Sequence, residues 1–171
     1  MKTLAFLLLL VIGPTLGAAR DLRPAIKSEA ARCAIAWQRS NCDGVLSYLP
    51  ERVVKVSGGR AAARREIKGW FDSAREYGVE SQDVSLGEPS TPRPIGRWLT
   101  SLIPLTVVAH CPHLDLTQET CLLGLSADQG NHWSFVPLYQ ITPAELASWY
   151  PEFAGKIAVP ATRAPRIEVT Y

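Results

Sequence analysis

LIPLTVVAHC (102–111), CLLGLS (121–126) and HWSFVP (132–137) are three apolar, β-rich runs separated by polar segments. Their alternation and their content of β-branched and aromatic residues predict three consecutive antiparallel strands. The first polar segment, LDLTQE (114–119), reads as a turn, and so does the second, ADQGN (127–131), with its Asp, Gly and Asn. A hairpin centred on Leu116 puts Cys111 opposite Cys121, Ala109 opposite Leu123 and Val107 opposite Leu125. That register matches apolar to apolar on one face. For Trp133 and Phe135 to share the face of Leu123 and Leu125, the last loop needs an odd residue count.

Outward from the strands, the chain is mostly helical. Leu22 to Arg39 carries Ile26, Ala30, Cys33 and Trp37 at helical spacing, with Asp21 as a candidate cap and Pro24 in the first turn. Cys42 to Leu49 reads as a short second helix ended by Pro50, and Asp43 as its cap. Arg52 to Ser57, with VVKV at its centre, reads as a strand closed by Gly58-Gly59. Arg60 to Tyr77 is a helix with Ala63, Ile67, Trp70, Ala74 and Tyr77 on one stripe and Gly78 at the left-handed end position. Gly69 inside it suggests a close neighbour. Val79 to Gly87 reads as a strand and GEPSTPRPIG (87–96) as a loop. Thr142-Pro143-Ala144-Glu145 opens a C-terminal helix with the residues of a capping box. The element order is α-α-β-α-β-β-β-β plus a short tail helix, an α+β arrangement.

The apolar run Leu4 to Ile12 follows Lys2 and precedes the small residues Gly17, Ala18 and Ala19. It is too short to span a bilayer and has the pattern of a signal peptide cleaved after Ala19. The division expected is 1–19 signal segment, 20–157 folded domain, 158–171 Pro/Arg-rich tail. This predicts a periplasmic or secreted protein with no membrane anchor after cleavage. The chain has 171 residues, 47% of them apolar and 20% charged, with a formal net charge of +2. Removal of Lys2 leaves +1. That suits one domain and offers nothing to nucleic acid.

Four cysteines, Cys33, Cys42, Cys111 and Cys121, follow the exported segment. An even count in an oxidising compartment suggests disulfides, with three connectivities open. The hairpin register favours Cys111–Cys121, which leaves Cys33–Cys42. The alternative, a metal cluster of His110, Cys111, His113 and Cys121, lacks the paired tight spacing of zinc sites. No cofactor is expected, because no Gly-rich phosphate loop or nucleophile motif is present.

CDGVLSYLP (42–50) followed by VVKVSGGR (53–60), and CLLGLSADQG (121–130) followed by NHWSFVP (131–137), carry a resemblance. The late pair contains Ser126-x-Asp128-x-Gly130-x-x-Trp133-x-Phe135. Together they resemble the NTF2-like superfamily, over roughly 22–155, and in particular its small exported members. The resemblance implies a curved antiparallel sheet wrapped by helices around an apolar pocket. Its candidate lining is Trp37, Tyr48, Trp70, Val107, Leu123 and Phe135, with Glu80 at the rim.

Three roles follow from that resemblance. The first is a non-catalytic binding module for a small apolar ligand or a protein partner. The second is an isomerase- or dehydratase-type enzyme using Glu80 or Asp43. The third is a structural protein that forms a homodimer through the outer sheet face. Strand parity turns His110 and His132 away from the apolar face, and no acid–base pair emerges.

Overall fold

The computed structural model describes residues 21–139, 141–161 and 163–170. The expected signal segment, 1–19, and its cleavage position lie outside these. Helix α1 spans Arg23–Gln38 and buries Ile26, Ala30 and Cys33 along one side, as the spacing predicts. Asp21 does not cap it. Its carboxylate accepts the Arg23 backbone N–H at 3.1 Å and binds the Arg23 guanidinium instead. Helix α2, Cys42–Tyr48, is capped by Asn41, whose side chain accepts the Gly44 N–H at 3.0 Å.

The segment expected as a strand, VVKV, is helix α3, Glu51–Val56. A strand needs a partner strand, and none runs beside it. Pro50 stands extended at its start, Glu51 and Lys55 complement the helix dipole, and Gly58 (φ 87°) and Gly59 (φ 95°) end it. Val53 and Val54 then pack into two different apolar clusters on either side.

Helix α4, Arg60–Glu76, follows and turns out of helix at Gly78 (φ 85°), as expected. Its core stripe is rotated from the expected one. Ala63, Ile67 and Phe71 are buried, while Trp70 is 47% and Tyr77 85% exposed. Around Gly69 the space is open, so no close neighbour explains it.

The strands are β1 (Ser81–Leu86), β2 (Arg93–Ile95), β3 (Trp98–Cys111), β4 (Leu114–Ser126), β5 (Ser134–Pro137) and β6 (Arg166–Val169). They form a curved, open, fully antiparallel sheet in the order β1-β3-β4-β5, with β2 beside β3 and β6 beside β4. Two of these were not expected: β2 lies inside the Pro-rich loop, and β6 lies in the tail.

The β3–β4 hairpin corrects the expected register. It turns at Pro112-His113, with Cys111 opposite Leu114, Val107 opposite Gln118 and Cys121 opposite Pro104. Cys111 therefore sits seven residues along β3 from the partner of Cys121. At 3.3 Å per residue that is roughly 23 Å, far beyond the ~7 Å limit for a disulfide. The pair Cys33–Cys42 is not joined either, and all four cysteines are free thiols. Cys33 faces the sheet, whereas Cys42 packs against the α2–α4 cluster.

The register also separates two faces of the sheet. On the first face, α1 packs Ile26, Ala30 and Cys33 against Ile103, Leu105, Leu122, Trp133 and Phe135. On the second, Leu123, Leu125, Val136 and Leu138 lie under Leu146, Tyr150 and Phe153. Trp133 and Phe135 thus do not share the face of Leu123 and Leu125. Eight residues, 126–133, separate the last β4–β5 pair, Leu125 and Ser134, so the count is even.

Burying each Leu, Ile or Phe in these layers contributes about 2 kcal/mol. The cover of the second face is α5, Pro143–Trp149, with a one-turn 3-10 helix at Pro151–Phe153. The expected capping box is present: Thr142 Oγ1 accepts the Glu145 N–H and Glu145 accepts the Thr142 N–H. The sheet is covered on both faces, not on one. Among the described residues no helix is long and apolar enough to cross a membrane.

Candidate functional site: a two-lobed apolar groove

The groove begins where α1 runs out. Sixteen helical residues reach about 24 Å. The fourteen residues of β3 reach about 46 Å. The hairpin therefore overshoots the helix. Full burial on the first face stops near Leu105 and Leu122, while Val107, Ala109 and Leu116 farther out are only half-buried. These residues floor a first lobe of about 380 Å³ beside Ala34 and Trp37 of α1. Pro137, Tyr139 and Pro165 wall its far side, and its polar lining is Gln82, Gln118 and Thr120.

The second lobe, about 710 Å³, lies between α3 and α4 on one side and β5 and α5 on the other. Glu66, Trp70 and Ser73 of α4 and Tyr77 just past its end line it, at intervals of four, three and four residues on one face. Val53, Ile141 and Trp149 face them. Trp37, Pro137 and Tyr139 line both lobes, which sets the two side by side. Trp37 is held there by a stacked Trp70 (5.8 Å, 16°) and an edge-on Phe71 (5.3 Å, 72°). Among the described lining residues of both lobes, Glu66 alone is charged.

The sequence-derived candidates divide between groove and core. Trp37, Trp70 and Val107 line the groove. Tyr48 packs on Phe135 at 6.1 Å in the core of the first face, and Phe135 is buried. Leu123 is fully buried on the opposite face, beneath α5. Glu80 is exposed just before β1, its backbone N–H donating to the His110 carbonyl. Asp43 accepts two bonds from the Arg64 guanidinium at 2.9 and 3.2 Å, outside both lobes. Burial pushes the Cys33 thiol up to about 12, so it stays protonated and non-nucleophilic at neutral pH.

Sequence reasoning missed Glu66, which reads as one charge among several on a polar helix. It also missed Gln118, which the expected register put in a turn. Gln118 Nε2 donates to the carbonyls of Glu119 and Arg163, at 3.0 and 3.2 Å. The second bond ties the C-terminal segment to the lobe that Pro165 helps wall.

On the second face of the overshooting hairpin, His110 lies between Asp115 (Nδ1, 2.8 Å) and Asp83 (Nε2, 3.2 Å). The true register brings Asp115 opposite His110 rather than into a turn. Bonds to Asp115 first and Asp83 second favour the imidazolium and raise the His110 pKa. Among the described residues no three His, Cys, Asp or Glu side chains are placed to hold a metal. The alternative cluster of His110, Cys111, His113 and Cys121 does not assemble, because Cys121 is far along the hairpin.

The Ser126–Phe135 motif has a defined structural use. Ser126 Oγ donates to Asp128 Oδ1 (2.8 Å) and accepts the Gly130 N–H (2.8 Å). Asp128 accepts the His132 N–H at 3.0 Å and binds its ring; these bonds, with that from Ser126, hold its carboxyl far below the usual carboxylate range. Trp133 Nε1 closes the loop on the Gly130 carbonyl at 3.2 Å. Set against models of known protein families, curated proteins and solved structures, the chain matches none of them.

Proposed function

We propose that the chain is a non-catalytic binding module of NTF2-like architecture, exported by its N-terminal leader, that takes a small apolar ligand in the two-lobed groove. The observation that carries this reading is the groove itself. Lobes of about 380 and 710 Å³ meet at Trp37 and are lined mostly by apolar and aromatic side chains. Small-molecule sites have this size and this lining. A curved antiparallel sheet packed by α1 supports the NTF2-like assignment; helix α3, where a strand was expected, departs from it. Neither Glu80 nor Asp43 lines a lobe, so no observation favours the enzyme reading. The second sheet face is capped by α5 at one end and carries Asp83, His110 and Asp115 at the other, which offers a homodimer no broad apolar contact.

The test is titration with the neutral apolar dye N-phenyl-1-naphthylamine. One saturable site is expected, weakened about tenfold in Trp70→Ala, since a half-exposed indole contributes at least ~1.4 kcal/mol of contact. Linear, non-saturating fluorescence, or saturation unchanged in Trp70→Ala, contradicts the proposal.

A further inference from the structure

Resting on the groove reading above, we infer that the ligand is an amphiphilic organic cation, with its cationic head in the second lobe and its apolar body passing Trp37 into the first. The charge distribution carries this. Across both lobes the described lining holds one carboxylate, Glu66, and no Lys or Arg. Three cations of α4 have partners within the chain: Arg64 binds Asp43, while Lys68 and Arg75 bind Asp72. Glu66 makes no ion pair among the described residues.

One helical turn on from Glu66, some 6 Å, stands Trp70, and Tyr77 follows on the same stripe. Trp149 faces them across the lobe. Aromatic faces attract cations through their quadrupole, and Trp does so most strongly. Elsewhere the chain covers its own rings this way: Arg52 lies 5.3 Å over Tyr150 and Arg97 lies 4.8 Å over Trp98. Among the described residues no Lys or Arg lies over Trp70, Tyr77 or Trp149. The lobe therefore offers three aromatic side chains and a carboxylate to a positive charge supplied from outside. Trp70 and Tyr77, at 47% and 85% exposure, are open to it. The first lobe has no charged residue in its described lining, which suits an alkyl or aryl body.

Three ligands of one chain length separate the parts of this inference: trimethyloctylammonium, 1-octanol and octane-1-sulfonate, each titrated calorimetrically below its micelle concentration. The cation is expected to bind at least tenfold tighter than either of the others. Glu66→Gln is expected to weaken the cation about fivefold and leave octanol unchanged. Because Glu66 is exposed, that variant retains the fold. Equal binding of all three, or preference for the sulfonate, overturns the cation inference while the apolar groove stands. Binding of none of them overturns the groove reading as well.

Discussion

The two ends of the β3–β4 hairpin have opposite fates, although β3 keeps apolar residues on its first face at both. At the Trp98 end, α1 covers one face and α5 the other, so Ile103, Leu122, Leu123 and Leu125 are at most 3% exposed. Toward the Pro112 end α1 reaches only with Ala34 and Trp37, and apolar residues such as Val107, Ala109 and Leu116 stay half-buried along the first lobe. On the first face β3 is apolar through both halves, while β4 changes from Leu122 to Thr120 and Gln118. Helix cover and the strand pattern together decide which half becomes core and which becomes groove. Stability should therefore concentrate at the closed end and binding at the open one.

The largest expected effect contrasts the two ends directly. Ile103→Ala should cost about 3–4 kcal/mol in chemical denaturation, since the site is sealed on both sides by packed layers. Val107→Ala, two pleat repeats outward, should cost about 1 kcal/mol or less. Similar losses at both would erase the distinction.

Next is Ser126→Ala, at the closed end. Its 2% exposed hydroxyl accepts the buried Gly130 N–H, and removal strands that donor for about 2 kcal/mol. An unchanged denaturation midpoint would show that the loop is not organised through Ser126.

A smaller change of opposite sign is expected for Tyr150→Phe. The Tyr150 ring is stacked on Phe153 at 4.8 Å and met edge-on by Trp98, but its buried hydroxyl has no partner among the described residues. Burial pushes that hydroxyl up to about 12. Deleting an unsatisfied oxygen should stabilise by up to about 1 kcal/mol, read as a raised Tm. A fall of similar size would mean that the hydroxyl is bonded in solution.

The smallest effect belongs to the open end and depends on pH. The His110 pKa is raised in the folded chain by Asp115 and Asp83. Its stabilisation is therefore complete below the unfolded value near 6.5 and is lost as pH rises through the higher folded value. The stability gap between the wild-type chain and His110→Gln should narrow from pH 6 to pH 9. A gap that widens over that range would reverse the sign and break the account of the clamp.

Much of the closed end was legible in sequence, and the reasons are local. The stripe Ile26, Ala30, Cys33 and the box Thr142-Pro-Ala-Glu145 encode their helices within one or two turns. The open end was not legible, because its structure depends on pairing. LDLTQE alternates apolar and polar residues as a strand does, yet its polarity also suits a turn, and the two cysteines favoured that second reading. Pro112-His113 was the better turn, with proline ending the ladder. That one choice displaced every partner in the hairpin, hid the His110–Asp115 contact and produced the Cys111–Cys121 bond that does not exist.

VVKV shows a related limit. Its strand propensity is worth a fraction of a kcal/mol per residue, less than the packing of Val53 and Val54 into two clusters. Spacing puts Trp70 on the apolar stripe of its helix. Spacing fixes which residues share a stripe, but not how far a partner surface extends over it, and here Phe71 took the buried position.

The open end depends on where the hairpin turns, and backbone nuclear Overhauser contacts between the two strands measure that directly. Contacts of Val107 with Gln118 and of Ala109 with Leu116 are the result expected. Contacts of Val107 with Leu125 and of Ala109 with Leu123 would move the turn to residue 116, fold the overshoot back, and remove the first lobe.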